Sequence, residues 1–283
     1  MNDHRERVAA ARSWLYTPGT QPSRFDRAGV AGADGLIIDL EDAVPVREKA
    51  VARANAVAFA AASAPRPGVL RAVRINPPST RAGLRDLDAL VAVAANLDAV
   101  VVPKCASPAI VSLVATVFAE TGTAPAIIAL VESAAGVAGI AALVTAPGLA
   151  AIAVGGADLS ADLGCTPSWE SLAAVRTMLV VHAAAARVPV IDSPFFDLAD
   201  DAGLRAEASA AADLGFSAKA AIHPRQIASI NAAFAPSPEE IEWAHAVLAV
   251  AGGGVGLVDG VMVDEAVARR ARRILAAVVR TEP

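Results

Sequence analysis

The sequence predicts an α/β fold, a closed (β/α)8 barrel of the TIM type carrying a C-terminal helical extension. Three observations carry that expectation. Short β-branched runs alternate with longer Ala/Leu-rich segments whose apolar positions recur at helical spacing, the rhythm of repeated strand–helix units. Eight such runs occur before the last third of the chain ends, enough to close a barrel. Nearly every run is followed at once by a charged or polar side chain. That pattern suits a barrel, which gathers its chemistry from the C-terminal ends of many strands.

The strands are expected at 13–17, 35–40, 70–75, 99–103, 126–131, 150–154, 188–191 and 217–222. AVVVP and GLIID are nearly continuous apolar runs, as parallel strands are when helices cover one face and side chains pack the other. Asp39, Glu41 and Asp42 follow the second strand, Arg74 and Asn76 end the third, and Lys104 follows the fourth. Glu132, Asp158, Asp192 and His223 follow the fifth to the eighth. The barrel is expected to occupy residues 1–236 and the extension 237–283. In the extension, SPEEIEWAHAVLAVA reads as a helix with Ser237 as N-cap and Pro238 at its first position. The run Gly252–Gly254 stops it, Asp259-Gly260 marks a turn between two short apolar runs, and a basic amphipathic helix follows.

Of 283 residues, 55% are hydrophobic and 4% aromatic, so the core must be built from Ala, Val, Leu and Ile. Lys and Arg number 24 against 29 Asp and Glu, a net charge of −5, with no basic stripe; nucleic acid is not an expected partner. The two cysteines, Cys105 and Cys165, fit neither a disulfide framework nor a metal site, which agrees with a reducing cytoplasm. The N-terminus is charged and lacks the apolar core of a secretory signal. Residues 133–157 carry no charge, but Gly136, Gly139, Pro147, Gly148, Gly155 and Gly156 break the stretch into a helix and a strand. No membrane association is expected.

Glu132 and Asp158 lie one strand–helix–strand step apart, which sets them side by side on the rim. Two hard oxygen ligands with open positions suit Mg²⁺; a surface pair or helix-capping acids is the plainer alternative. Arg74 sits among apolar residues, where an arginine is costly unless it meets a carboxylate or a polar cavity. It could grip a substrate carboxylate or a developing enolate oxygen, or pair structurally with Glu41 or Asp42. Asp39, Glu41 and Asp42 are close enough to repel one another unless a cation lies among them, so Glu41 and Asp42 are expected to buttress the site from behind its ligands. Imine chemistry at Lys104 is disfavoured, since nearby carboxylates raise a lysine pKa. His223 is expected to be a structural or phosphate-contacting residue, with no catalytic role. Ser160, Ser193 and Cys105 lack a convincing nucleophile-elbow context, so a serine or cysteine hydrolase is not supported.

The segments RSWLYTPGTQPSRFDRA, GADGLIIDLEDAV, VRINP, VVPK, ALVESAAGV, GGADLSADLG, GFSAKAAIHPRQI and VDGVMVDEAVARRARRIL together resemble the citrate lyase beta-subunit-like branch of the HpcH/HpaI aldolase family. The likeness runs from about Arg12 to Leu275. It implies a Mg²⁺-dependent carbon–carbon lyase acting on 3-hydroxyacyl thioesters of malyl, citramalyl or citryl type, borne on CoA or an acyl carrier protein. By the same resemblance Arg74 binds the substrate carboxylate, Glu132 and Asp158 hold the metal with Glu132 near the substrate, and Asp264 is presented by the C-terminal lid to a neighbouring subunit of a trimer or a multiple of it. The first loop departs from the family's common PGNRP, having Thr20 and Gln21 in place of Asn and Arg, and VPKCASPA lacks the acid often found after that lysine. Both departures leave the carrier group open. A metal-dependent aldolase on free pyruvate or oxaloacetate, and a partner-dependent or non-catalytic acyl-lyase subunit, therefore stand as alternatives.

Overall fold

The computed structural model describes residues 3–62, 68–251, 256–258 and 260–281. The glycine stop at Gly252–Gly254 and Asp259 of the expected turn lie outside them. Eight strands, β1 (Ser13–Pro18), β2 (Gly35–Asp39), β3 (Leu70–Arg74), β4 (Ala99–Val102), β5 (Ala126–Val131), β6 (Leu149–Val154), β7 (Val190–Asp192) and β8 (Ala218–Ala221), close into a barrel in sequence order. All neighbouring pairs in it are parallel. Each strand falls where its β-branched run placed it. The uncharged stretch after β5 divides as expected, into short helices at Ala134–Ala138 and Ile140–Leu143 and then β6. No helix among the described residues is long and apolar enough to cross a membrane.

Side chains alternate between the two faces of a strand, and the interior set follows that period. Ile37, Leu70, Ala72, Ala99, Val101, Ala126, Ile128, Leu130, Ala151, Ala153, Ile191, Ala218 and Ala220 form one buried cluster with Trp14. So many alanines leave room that Trp14 fills from β1. Its indole requires Gly35 on β2, where an added Cβ would stand 2.3 Å from the ring.

An element that the sequence did not announce closes the opposite end. The first helix, Asp3–Ala10, is mostly polar, but Val8 and the following Ala11 join the interior cluster. Arg7 pairs with Asp98, which also accepts the backbone N–H of Arg71 at 2.8 Å. Helices around the barrel start on side-chain caps: Thr80, Ser133, Ser168 and Asp200 each accept a backbone N–H from the first turn.

Two compact units divide the chain, Met1–Asn231 and Ala232–Pro283. The second has helices Pro238–Ala251 and Glu265–Thr281 and an antiparallel pair, Gly256–Val258 with Val261–Val263. Its small core is Ala244, Val247, Val263 and Ala271, flanked by Trp243, Ile274 and Leu275. Ser237 and Glu240 cap its first helix reciprocally, at 3.2 and 3.0 Å.

Candidate active site

Strand alternation decides which charged residues reach the barrel mouth. Arg74 continues the inward series Leu70, Ala72; Glu132 continues Ala126, Ile128, Leu130; Asp39 follows Ile37 and Tyr16 follows Trp14. These four, with Asp42 and the segment Gly155–Asp158, line a cavity of about 320 Å³. Glycine is required beside Glu132, because a Cβ at Gly155 would lie 2.5 Å from the Glu132 Cβ. The second glycine of GGAD opens the helix Gly156–Leu163, and Asp158 stands in its first turn.

Arg74 is gripped first by Asp39, through Nε to Oδ1 at 2.7 Å and Nη2 to Oδ2 at 2.6 Å. The ion pairs with Glu41 and Asp42 that the sequence suggested are also present, but Asp39, which it did not single out as a partner, makes the shorter contacts. Asp39 and Arg74 face each other in the β2–β3 register, so the fork forms between neighbouring strands. Glu41 and Asp42 lie farther off, 3.3 and 3.8 Å from Nη1. The Tyr16 ring covers the guanidinium at 5.1 Å. Burial keeps the Tyr16 phenol protonated by raising its pKa well above the ordinary value.

Lys104 and three carboxylates form the other half of the site. Its Nζ donates to Asp158 Oδ2 at 2.8 Å and stands 3.7 Å from Glu41 Oε1 and 3.9 Å from Glu132 Oε1. The backbone N–H of Lys104 donates to Glu132 Oε1 at 2.6 Å, in a left-handed turn with φ of 51°. Burial works against the ammonium, but the hydrogen bond to Asp158 and the fields of Glu132 and Glu41 outweigh it and raise the Lys104 pKa. These carboxylates favour the ammonium form of Lys104 over the free amine that imine chemistry needs.

The carboxylates lean the other way. Burial pushes Glu41 up to about 8, with Glu132 and Asp42 adding to the rise and Arg74 opposing it. Burial pushes Glu132 up to about 7, against the hydrogen bond from the Lys104 amide. Neither Glu41 carboxylate oxygen accepts a hydrogen bond, although both are buried.

These observations test the site against a divalent cation. An ammonium stands among three carboxylates, two of them hold their protons more tightly than usual, and Glu41 has two oxygens without donors. A pocket so short of positive charge fits a hard cation. Among the described residues no three acidic, imidazole or thiol groups converge at metal-ligand spacing. A pair of carboxylates nevertheless matches Mg²⁺, which keeps several waters and takes only one or two protein carboxylates.

Other strand-end residues lie elsewhere. Asp192 follows inward-facing Ile191 and so points outward, where it meets Lys219 at 2.5 Å and Arg176 at 3.0 Å; Glu207 completes the cluster, 2.7 Å from Lys219. His223 is exposed and takes part in a helix cap: its Nδ1 accepts the Arg225 N–H at 3.2 Å, and Gln226 caps in return. Cys105 is buried, and its thiol is pushed up to about 12 by that burial. Asp264 lies in the second unit, exposed, and its Oδ1 accepts the Val267 N–H at 3.0 Å at the start of the last helix.

Such a barrel, with acids, an arginine and a lysine gathered at the C-terminal mouth of its strands, is an enzyme fold with its chemistry at that mouth. The chain belongs to the HpcH/HpaI aldolase/citrate lyase family, whose model matches residues 12–224, and is accordingly a carbon–carbon lyase by type. It is 33% identical over 273 residues to a (3S)-malyl-CoA thioesterase of Cereibacter sphaeroides, covering 94% of this chain and 93% of that one. It is 34% identical to a citrate lyase subunit beta-like protein of Mycobacterium tuberculosis, covering 94% and 95%. Among solved structures it is similar to CitE from M. tuberculosis in complex with magnesium, acetoacetate and coenzyme A, with TM-score 0.81, 32% identity and coverage of 96% and 99%. It is also similar to RipC from Yersinia pestis, with TM-score 0.72, 39% identity and coverage of 82% and 99%.

Proposed function

We propose that the chain is a Mg²⁺-dependent lyase that cleaves or forms 3-hydroxyacyl thioesters of malyl, citramalyl or citryl type. The observation that carries this reading is that Glu41, Glu132 and Asp158 all stand within 4 Å of the Lys104 ammonium, beside Arg74. Glu132 and Asp158 hold the metal, and Glu41, 3.7 Å from the same ammonium, supports the site with Asp42. The bound ion supplies Lewis-acid polarisation of the substrate's oxygens. The complexes of M. tuberculosis CitE with magnesium and acetoacetate and with magnesium and pyruvate support the choice of ion and of a 2-oxo or 3-oxo acid as ligand.

Cleavage passes the 3-hydroxyl proton to solvent, releases a 2-oxo acid and leaves the electron pair of the broken C–C bond on the thioester enolate. Arg74, fixed by Asp39 and covered by Tyr16, offers its Nη1 edge to the substrate carboxylate and to the charge that develops. A rigid guanidinium suits that task, since it needs no reorganisation as the bond breaks. Asp264, on the lid formed by residues 237–283 of a neighbouring subunit in a trimer, gives a proton to the enolate carbon, or takes one in the condensation direction. That duty competes with its cap on Val267, so the carboxylate must share or exchange its partner. The lid also excludes water.

The test is a mass-spectrometric assay of purified protein with Mg²⁺ and a panel of malyl-CoA, citramalyl-CoA and free oxaloacetate. Release of an acetyl thioester names the substrate and supports the reading. Cleavage of oxaloacetate alone would replace it with a free-acid aldolase. Release of free thiol without carbon–carbon cleavage would point to the hydrolysis for which the C. sphaeroides relative is named.

A further inference from the structure

A second cavity, of about 580 Å³, lies between the outer wall of the barrel and the helices Trp169–Ala186 and Asp201–Leu214. It is larger than the cavity at the barrel mouth, and the two share Gly156, Pro194 and Phe196. Phe196 stands half-exposed where they meet. The walls are mainly apolar, from Trp169, Leu172, Phe195 and Ala210. Arg176 also lines it, nearly fully buried, with Nε on Asp192 at 3.0 Å, Nη2 on the Ser193 hydroxyl at 3.2 Å and the Trp169 ring 4.6 Å away. Its Nη1 is buried with no hydrogen-bond partner, so this mainly apolar chamber has a buried donor still to be satisfied.

The chamber adjoins one half of the reaction. Gly156 sits between Gly155, which packs on Glu132, and Asp158, the two carboxylates assigned to the metal. Oxygens held there belong to the 2-oxo-acid half of the substrate, so a substituent on that half leaves the reacting carbons next to Gly156 and Phe196. We infer that the chamber is a specificity site for this substituent and takes an apolar branched chain or ring, with Arg176 Nη1 available to an oxygen at its far end. The inference rests on the lyase reading above. It extends the substrate range beyond the malyl and citramalyl types, to 3-hydroxyacyl thioesters whose electrophilic half is larger than glyoxylate or pyruvate.

The experiment runs the condensation direction with acetyl-CoA and Mg²⁺, comparing glyoxylate, pyruvate, 4-methyl-2-oxopentanoate and 4-hydroxyphenylpyruvate in the native enzyme, Ala210→Phe and Ala206→Leu. The expected result is a native kcat/KM that favours the two larger acids over glyoxylate, with the preference reduced about tenfold or more in Ala210→Phe, the scale at which pocket-filling changes act on apolar groups. Rejection of the larger acids by the native enzyme, or an equal loss for all four acids in both variants, overturns the inference. If no acid is condensed, the lyase reading fails separately. The chamber is then judged by titrating 4-methyl-2-oxopentanoate against the fluorescence of Trp169, where saturable binding lost in Ala210→Phe sustains it and no binding removes it.

Discussion

The ammonium of Lys104 lies 2.8 Å from Asp158 and within 4 Å of both Glu41 and Glu132, so one side chain of the protein occupies the position that the account gives to a metal ion. A divalent ion entering there must displace or repel a unit positive charge.

Lys104→Met is therefore expected to tighten Mn²⁺ or Mg²⁺ binding by about tenfold or more, equivalent to about 1.4 kcal/mol. The metal-free variant is also expected to melt at a lower temperature, since three acids lose their shared cation. Titration calorimetry and thermal unfolding check both. Weaker metal binding in the variant would show that the lysine assists the ion.

Gly155→Ala is expected to abolish metal binding and to lower stability by about 1–3 kcal/mol. Its Cβ would collide with the Glu132 Cβ at 2.5 Å, close to the backbone, so rotation of the carboxylate gives no relief. Glu132 must shift as a whole. Calorimetric titration with Mn²⁺, beside a circular dichroism melt, separates the two effects.

The raised carboxylates predict how stability follows pH. Glu41 and Glu132 move from an ordinary value of 4.5 to about 8 and about 7, so the native metal-free state binds more protons than the unfolded chain between those limits. Their contribution to stability is complete below pH 4.5 and is lost as pH rises through 7 to 8. A metal replaces those protons. The Mg²⁺-induced rise in Tm is expected to be larger at pH 8 than at pH 6, with proton release visible as a buffer-dependent binding enthalpy.

The cysteines should differ in reactivity. Cys105 is buried with its thiol pushed up to about 12, whereas Cys165 is partly exposed. Iodoacetamide at pH 8 is expected to modify Cys165 alone in the native protein and both residues after denaturation, as read by peptide mass spectrometry.

Breaking the buried cluster outside the barrel should cost more than any of these changes. Lys219 is fully buried between Asp192 and Glu207, and Lys219→Met leaves both acids without it. A loss of about 3–5 kcal/mol is expected in denaturant unfolding.

The strands were legible because each is a β-branched run bounded by turn residues, Glu132 because it stands directly after β5, and Asp158 because the GGAD turn sets it at the start of the helix that follows β6. Strand parity, which separates Asp192 from Arg74 and Glu132, is also present in the sequence, as alternate positions along Ala126–Val131 and Val190–Asp192. The Arg74–Asp39 fork was not legible, since it depends on the register between two strands 35 residues apart in sequence. The left-handed turn at Lys104, which aims its amide at Glu132, has no glycine to mark it. The first helix was hidden by its charge, because only Val8 and Ala11 of that segment reach the interior.

Metal-dependent lyase activity at Glu132 is tested by acetyl-thioester release from malyl-CoA by the native enzyme and by Glu132→Gln, each with Mg²⁺ and with excess chelator. Turnover is expected only in the native enzyme with metal, with a fall of a hundredfold or more, on the order of 3 kcal/mol, in the variant. Turnover that persists in chelator, or in Glu132→Gln at the native rate, would contradict it.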